Sequence, residues 1–157
     1  MMPFSKIILT IGIPGSGKSS WVKKYLKKYP CTHVVSTDDL RKELTGHEQC
    51  IDPSQSPMIH AEARKRVLKI LSDPKNYDGV FCDIIVDSTN VEVEEWQEYK
   101  ALGATILAAK IFDITPKQAM RNQENRERKV PLEVIEMKWK QLEKNKPYIP
   151  HYFNIIL

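Results

Sequence analysis

Residues 6–19 constrain this chain more than any other stretch. Ile7, Ile8, Leu9 and Ile11 form an apolar run broken only by Thr10, and it leads straight into Gly12-Ile13-Pro14-Gly15-Ser16-Gly17-Lys18-Ser19. Such a run suits a strand buried on both faces, as in a parallel sheet. Helical spacing follows from residue 18 to about residue 29, where Pro30 ends it. The octet fits G-x-x-x-x-G-K-[ST] at every fixed position, and the strand before it and helix behind it supply the required context. Each residue type has a physical task. Gly12, Gly15 and Gly17 permit positive φ and carry no side chain, so successive backbone N–H groups can turn inward on an anion. The helix behind them adds the positive end of its dipole. Lys18 suits the β- and γ-phosphates of a nucleotide, and the Ser19 hydroxyl suits Mg²⁺. Pro14, Ser16 and Ser20 complete the expected ATP contacts. A glycine-rich turn that merely holds a lysine is the bland alternative, and motif and context together outweigh it.

The rest of the chain alternates apolar runs with helical patterns, as an α/β fold does. Strands are expected at 7–11, 33–35, 80–86 and 104–111. Helices are expected at 18–29, at 39–44 up to Gly46, along Ile59, Ala63, Val67 and Leu71, and at 91–102. Two more begin at Thr115-Pro116 and at Pro131, the latter with Ile135, Trp139 and Leu142 on one face. Residues 49–57 read as irregular. The aromatic and aliphatic tail, 148–157, reads as an edge strand or a partner contact, including contact with a second copy. The expected architecture is a P-loop NTPase-type three-layer sandwich. It has a mainly parallel sheet of four to five strands and a helical lid at about 121–131, all in one domain, 1–157.

Composition narrows the setting. No apolar run approaches the ~20 residues that span a bilayer, and the N-terminus lacks a signal-peptide layout. The net charge of +4 permits a polyanionic partner without requiring one. The 3 cysteines lack a Cys-x-x-Cys pair, so they read as buried thiols in a reducing, cytoplasmic compartment.

Three further segments carry chemistry. Ser36-Thr37-Asp38-Asp39-Leu40-Arg41 lies just past the second strand, where ligands bind in open α/β sheets. A carboxylate there can take the proton of an attacking hydroxyl, and Arg41 can hold an anionic group of the acceptor. Equally, Ser36, Thr37 or either aspartate can cap the helix, and two adjacent aspartates allow one base and one cap. Asp87-Ser88-Thr89-Asn90 follows the third strand. It offers Asp87 near metal and phosphates, and Asp87 and Thr89 to the acceptor, while Ser88, Thr89 and Asn90 can also cap a helix. In 121–131, Arg121, Arg126, Arg128 and Lys129 interleave with Glu124 and Glu127 beside Pro131. That pattern reads as a lid whose arginines neutralise phosphoryl-transfer charge, against a solvated helix end.

These residues together resemble the bacteriophage 5′-polynucleotide kinase family. The likeness runs through residues 6–21, Asp38-Asp39-Leu40-Arg41, Asp87-Ser88-Thr89-Asn90, Lys110-Ile111-Phe112-Asp113, Arg121-Asn122 and Val130-Pro131, with a poor match over 45–78. The resemblance implies transfer of the γ-phosphate of ATP to a 5′-hydroxyl of DNA or RNA, in a phage-infected cell. It implies Asp38 as general base, Arg41 on the acceptor's 3′-phosphate, and Arg126 as the lid arginine on the donor. Three departures stand out. Ser88 separates Asp87 from Thr89-Asn90, and a gapless alignment puts the lid arginine at Asn125, so Arg126 needs a one-residue shift and Arg128 competes with it. The Asp-x-Asp-x-Thr motif of the family's phosphatase domain is absent, so that activity is not carried over.

The chain is therefore expected to be a kinase that uses ATP and Mg²⁺, with a nucleic-acid 5′-hydroxyl end as its partner. Its rivals are a small-molecule or nucleoside kinase with the same parts, and a regulatory module that binds nucleotide without transferring phosphate.

Overall fold

The computed structural model describes residues 4–50, 52–77 and 82–157. In chain order the elements are β1 (Lys6–Ile11), α1 (Lys18–Lys28), β2 (His33–Ser36), α2 (Thr37–Thr45), α3 (Ser56–Ser72), β3 (Ile84–Asp87) and α4 (Val93–Lys100). Then come β4 (Ile106–Ile111), α5 (Pro116–Asn122), α6 (Leu132–Asn145), α7 (Ile149–Tyr152) and β5 (Ile155–Ile156). The five strands lie in the order β2-β3-β1-β4-β5. Every pairing is parallel, with Ile7 opposite Ile84 on one side of β1 and opposite Leu107 on the other.

Side-chain alternation along the strands divides the core between two faces. Ile7, Leu9 and Ile11 join Ile59, Ala63 and Val67 of α3 and Trp96 and Tyr99 of α4. Ile8, Ile85 and Ala108 face α1 through Val22, with Trp21, Tyr25 and Leu26 around them. A third cluster, Ile13, Ala119 and Ile135, packs with Ile114, Met120, Val130 and Trp139. The strand order reverses at β1, whose neighbours are β3 and β4. The crevice beyond the C-terminal ends of β1 and β3 is thus the topological switch point where such sheets bind ligands.

The structure departs from expectation in several places. α4 starts at Val93 with Glu92 as its N-cap residue, because residues 88–90 are committed to hydrogen bonds with β1. Within the expected third strand, residues 80 and 81 lie outside the described residues, and the observed strand runs Ile84–Asp87. The cysteines form no disulfide and are not buried: Cys31 and Cys50 are exposed and Cys82 is half-buried, since all three fall outside helices and strands. The expected helical lid is a turn-rich connector from 123 to 131, held between α5 and α6. The tail does add an edge strand, with Ala108 opposite Ile155 and Leu107 N–H donating to Asn154 Oδ1 at 2.9 Å. Among the described residues no helix is long and apolar enough to cross a membrane.

Candidate active site

The loop after β1 is held from all sides. Gly12 N–H donates to Thr89 C=O at 3.0 Å, which ties it to the segment after β3. Gly15 has φ of 82°, and a Cβ there would stand 2.7 Å from the Ala119 carbonyl oxygen of α5, so no other residue fits. Gly17 adopts the left-handed conformation as the N-cap of α1 and turns the chain into the helix. Asn122, at the end of α5, donates from Nδ2 to the Gly15 carbonyl at 2.8 Å.

Lys18 folds its ammonium back over this loop and donates to the carbonyls of Gly12 at 3.0 Å and Ile13 at 2.7 Å. Burial pushes its pKa down to about 8, against the opposing pull of Asp87 and Asp38. Next to it, Ser19 Oγ donates to Asp87 Oδ2 at 3.4 Å. Asp87 closes β3, and burial, with Asp38 and Asp39 nearby, raises its carboxyl above the usual range against Lys18 and the Ser19 hydroxyl. A hydroxyl and a carboxylate meeting at the phosphate loop are hard oxygen donors of the kind Mg²⁺ takes. That ion needs only one or two protein oxygens beside phosphate and water.

A buried polar tie fixes the second loop. Thr10 Oγ1 donates to the Ser88 carbonyl at 2.8 Å, Asn90 Nδ2 to the Thr10 carbonyl at 2.8 Å, and Thr37 Oγ1 to Ser88 Oγ at 2.9 Å. Asn90 holds a positive φ of 46° to do so. Its position in a loop of Ser, Thr and Asn was legible only as capping potential.

On α2, Ser36 is the cap, accepting from the Asp39 N–H at 3.3 Å, so neither aspartate caps the helix. Asp38 is free for other work, and two arginines hold it. Arg41 Nη1 donates to Oδ1 at 3.2 Å, and Arg128 Nη1, from the lid, donates to Oδ2 at 3.0 Å. Glu48 Oε2 lies 4.0 Å from the same Arg128 nitrogen. The 123–131 connector is stapled at its base. The buried Gln123 amide donates to the Val130 carbonyl at 2.7 Å and accepts the Val130 N–H at 3.0 Å, closing residues 123–130 into a loop. Arg126 lies on the exposed part of that loop.

All of this opens on one cleft of about 1260 Å³. Pro14 to Ser19, Asp38, Arg41, Asp87, Thr89, Arg126 and Arg128 line it. Ser20, one step along α1, is exposed and stands outside that lining. Sequence reasoning missed the far wall, where His60 and Arg64 of α3, Glu95 and Glu98 of α4 and Lys138 of α6 also line the cleft. In the sequence these residues carry no motif that singles them out for a role. It also gave no role to Asn122, whose amide supports Gly15, and missed Gln123, whose amide closes residues 123–130.

Fold and site together define a P-loop domain: an all-parallel α/β sheet with a phosphate-binding loop at its switch point. More particularly, the chain belongs to the AAA domain family, whose sequence pattern matches residues 7–146. It is 31% identical over 107 residues to adenylate kinase isoenzyme 1 of Cyprinus carpio, a stretch covering 66% of this chain. The same match takes in 55% of the carp protein, so the chain spans about half that relative's length. Among solved structures, it resembles a chain of the Pnkp1/Rnl/Hen1 RNA repair complex with a TM-score of 0.76 and 22% identity, over 94% of this chain and 47% of that one. It also resembles a gluconokinase from Sinorhizobium meliloti 1021 with a TM-score of 0.64 and 15% identity, over 99% of this chain and 81% of that one. At such identities the likeness to these two structures is one of fold.

Proposed function

We propose that this domain transfers the γ-phosphate of ATP to a hydroxyl group, and that the acceptor is the 5′-hydroxyl of a DNA or RNA end. The observation that carries the reading is the position of Asp38. Its carboxylate stands between an arginine of the acceptor-side helix and one of the lid, on the cleft that also holds Lys18 and Ser19. A module that only bound nucleotide would have no use for a carboxylate held there by two cations. The two arginines occupy one lone pair on each oxygen, which leaves Asp38 acceptor capacity for the proton of an attacking hydroxyl. Arg41 flanks that hydroxyl's position and suits an anionic group on the acceptor, such as the 3′-phosphate of the terminal nucleotide.

On the donor side, the loop amides and Lys18 hold the phosphates. Lys18 exchanges its bonds to the Gly12 and Ile13 carbonyls for phosphate oxygens, and so recovers the charge stabilisation that burial takes away. Ser19 and Asp87 would hold Mg²⁺, which when bound neutralises charge on the β- and γ-oxygens. This puts Asp87 on the metal side and leaves Arg41 and Thr89 on the acceptor side. Arg126 is the lid arginine that closes on the donor. The likeness in fold to a chain of an RNA repair complex supports the polynucleotide acceptor. The identity to a carp adenylate kinase favours a second reading, in which the acceptor is a nucleotide or another small molecule.

Radiolabelled ATP offered to 5′-hydroxyl oligonucleotides, nucleoside 3′-phosphates, AMP and gluconate separates the two. Label on the oligonucleotide 5′-end is expected. Label on AMP or gluconate alone moves the protein to the small-molecule reading, and slow hydrolysis without any acceptor returns it to a nucleotide-binding module.

A further inference from the structure

The far wall of the cleft contains a carboxylate that the fold itself does not need. Glu95 of α4 has a side chain only 12% exposed, and its Oε2 is buried with no hydrogen-bond partner among the described residues. Its Oε1 lies 3.9 Å from His60 Nε2, too far for a hydrogen bond. One helical turn on, the Tyr99 hydroxyl is likewise buried without a partner. Buried polar groups in folded proteins are almost always satisfied, so an unpaired one on a ligand cleft, as Glu95 is, asks for an explanation outside the fold. Burial raises the Glu95 carboxyl to about 7 and lowers His60, as expected for groups that wait in a water-poor site.

Charge says what such a partner is. Glu92, Glu94, Glu95 and Glu98 outnumber Arg64 and Lys138 on this wall, and Arg64 is already paired with Glu98, whereas the phosphate end of the same cleft carries Lys18, Arg126 and Arg128. A phosphate finds less to hold it beside Glu95 than at the loop, while a hydroxyl or amino group would supply the missing donor. A cleft of about 1260 Å³ exceeds the roughly 300–1,000 Å³ of an ordinary small-ligand pocket, which leaves room for a second molecule beside the nucleotide.

We propose that Glu95, with His60, forms a subsite for a neutral, hydrogen-bond-donating part of the acceptor, and that this subsite selects which acceptor is phosphorylated. The inference rests on the phosphotransferase reading and deepens it: Asp38 acts at the reacting hydroxyl, Arg41 holds the acceptor's anionic group, and Glu95 reads its uncharged remainder. The donor-bearing group is either a sugar hydroxyl or a base amino group.

The test is steady-state kinetics of the wild-type protein, Glu95→Gln and Glu95→Ala. The acceptors are oligonucleotides that begin with adenosine, with 2′-deoxyadenosine, or with a purine riboside lacking the amino group. Glu95→Ala is expected to raise the acceptor KM about tenfold or more and to move the ATP KM less than about twofold. Glu95→Gln keeps a carbonyl acceptor and should lose less. The melting temperature should hold or rise, because the variant removes a buried, unpaired oxygen. If the sugar is read, the penalty shrinks on 2′-deoxyadenosine; if the base is read, it shrinks on the riboside without the amino group. A wild-type protein that transfers phosphate while Glu95→Ala keeps its acceptor KM overturns this inference alone. A wild-type protein that labels none of these acceptors overturns the polynucleotide reading and this inference with it.

Discussion

The end of the cleft proposed to hold the donor and the wall proposed to meet the acceptor are built on opposite principles. At the donor end nearly every polar group is spoken for. Lys18 is bonded to its own loop, Gly12 to Thr89, Gly15 to Asn122, and Thr10 to both its partners after β3. On the far wall Glu95 Oε2 is buried without a partner among the described residues, and the Asp38 carboxylate is 51% exposed between two arginines. A site for a constant ligand can be preorganised by backbone and short side chains, whose entropy cost on fixing is small. A site that chooses among acceptors keeps groups unsatisfied, so that the right partner gains from supplying what is missing and a wrong one does not.

The sharpest way to break that contrast is at the donor end. Lys18→Ala should lower transfer about a thousandfold or more while leaving the fold intact, since the lysine's bonds are to its own loop. Near-native turnover of a folded variant, read by radiolabel transfer, would remove the donor site from this cleft.

Next in size is the base. Asp38→Asn should reduce kcat by about 10²- to 10⁴-fold and leave ATP affinity nearly unchanged. Asp39→Asn should be milder, because Ser36 already caps α2. The reverse ranking would exchange the two assignments.

A smaller effect is expected from the lid. Arg126→Ala should lower kcat more than it raises the ATP KM, because its best contact forms in the transition state. Arg128→Ala is expected to do less, and its loss should fall on the acceptor step, since Arg128 touches Asp38 rather than the phosphate loop. Cleavage by an arginine-directed protease at 126–129 should slow with an ATP analogue and Mg²⁺. Equal cleavage with and without nucleotide would make the stapled loop a rigid connector.

Arg41→Ala should raise the acceptor KM about tenfold, and only for acceptors that carry a 3′-phosphate. Equal losses on acceptors with and without that phosphate would take the anion away from Arg41.

The smallest expected effect is on stability, and it sharpens the comparison from the other side. Glu95 has a carboxyl raised to about 7 in the folded protein, so between the ordinary glutamate range and that value the native state keeps a proton that the unfolded chain has released. Stability from this group is therefore full at low pH and is lost as pH rises through about 7, by about 3 kcal/mol at most. Asp87, also raised, works in the same direction. Denaturant midpoints at pH 5 and pH 8 should differ less in Glu95→Gln than in the wild-type protein. An identical pH slope in both would show that Glu95 is not the buried acid described here.

What the sequence determined by itself was everything that depends on neighbours along the chain. The apolar run 7–11 could only be an inner strand, Gly15 and Gly17 could only serve a loop that turns on positive φ, and Thr115-Pro116 announced the start of α5. Local chemistry also singled out Lys18 and Ser19, because their place beside the loop follows from the spacing of the motif alone. Where the signal was local but shared, as with Ser36, Asp38 and Asp39, the sequence allowed several caps, and packing chose Ser36. Only the tertiary structure could decide the rest. That Arg128 reaches Asp38 across 90 positions, that Asn122 supports Gly15 across 107, and that His60 and Glu95 share one cleft with the phosphate loop are products of strand order and helix packing. Helical periodicity shows which face of α3 or α4 is apolar, but not which polar residue at its margin is turned from solvent into a cleft. That is set by elements distant in sequence, and the burial that raises Glu95 exists only once they have come together.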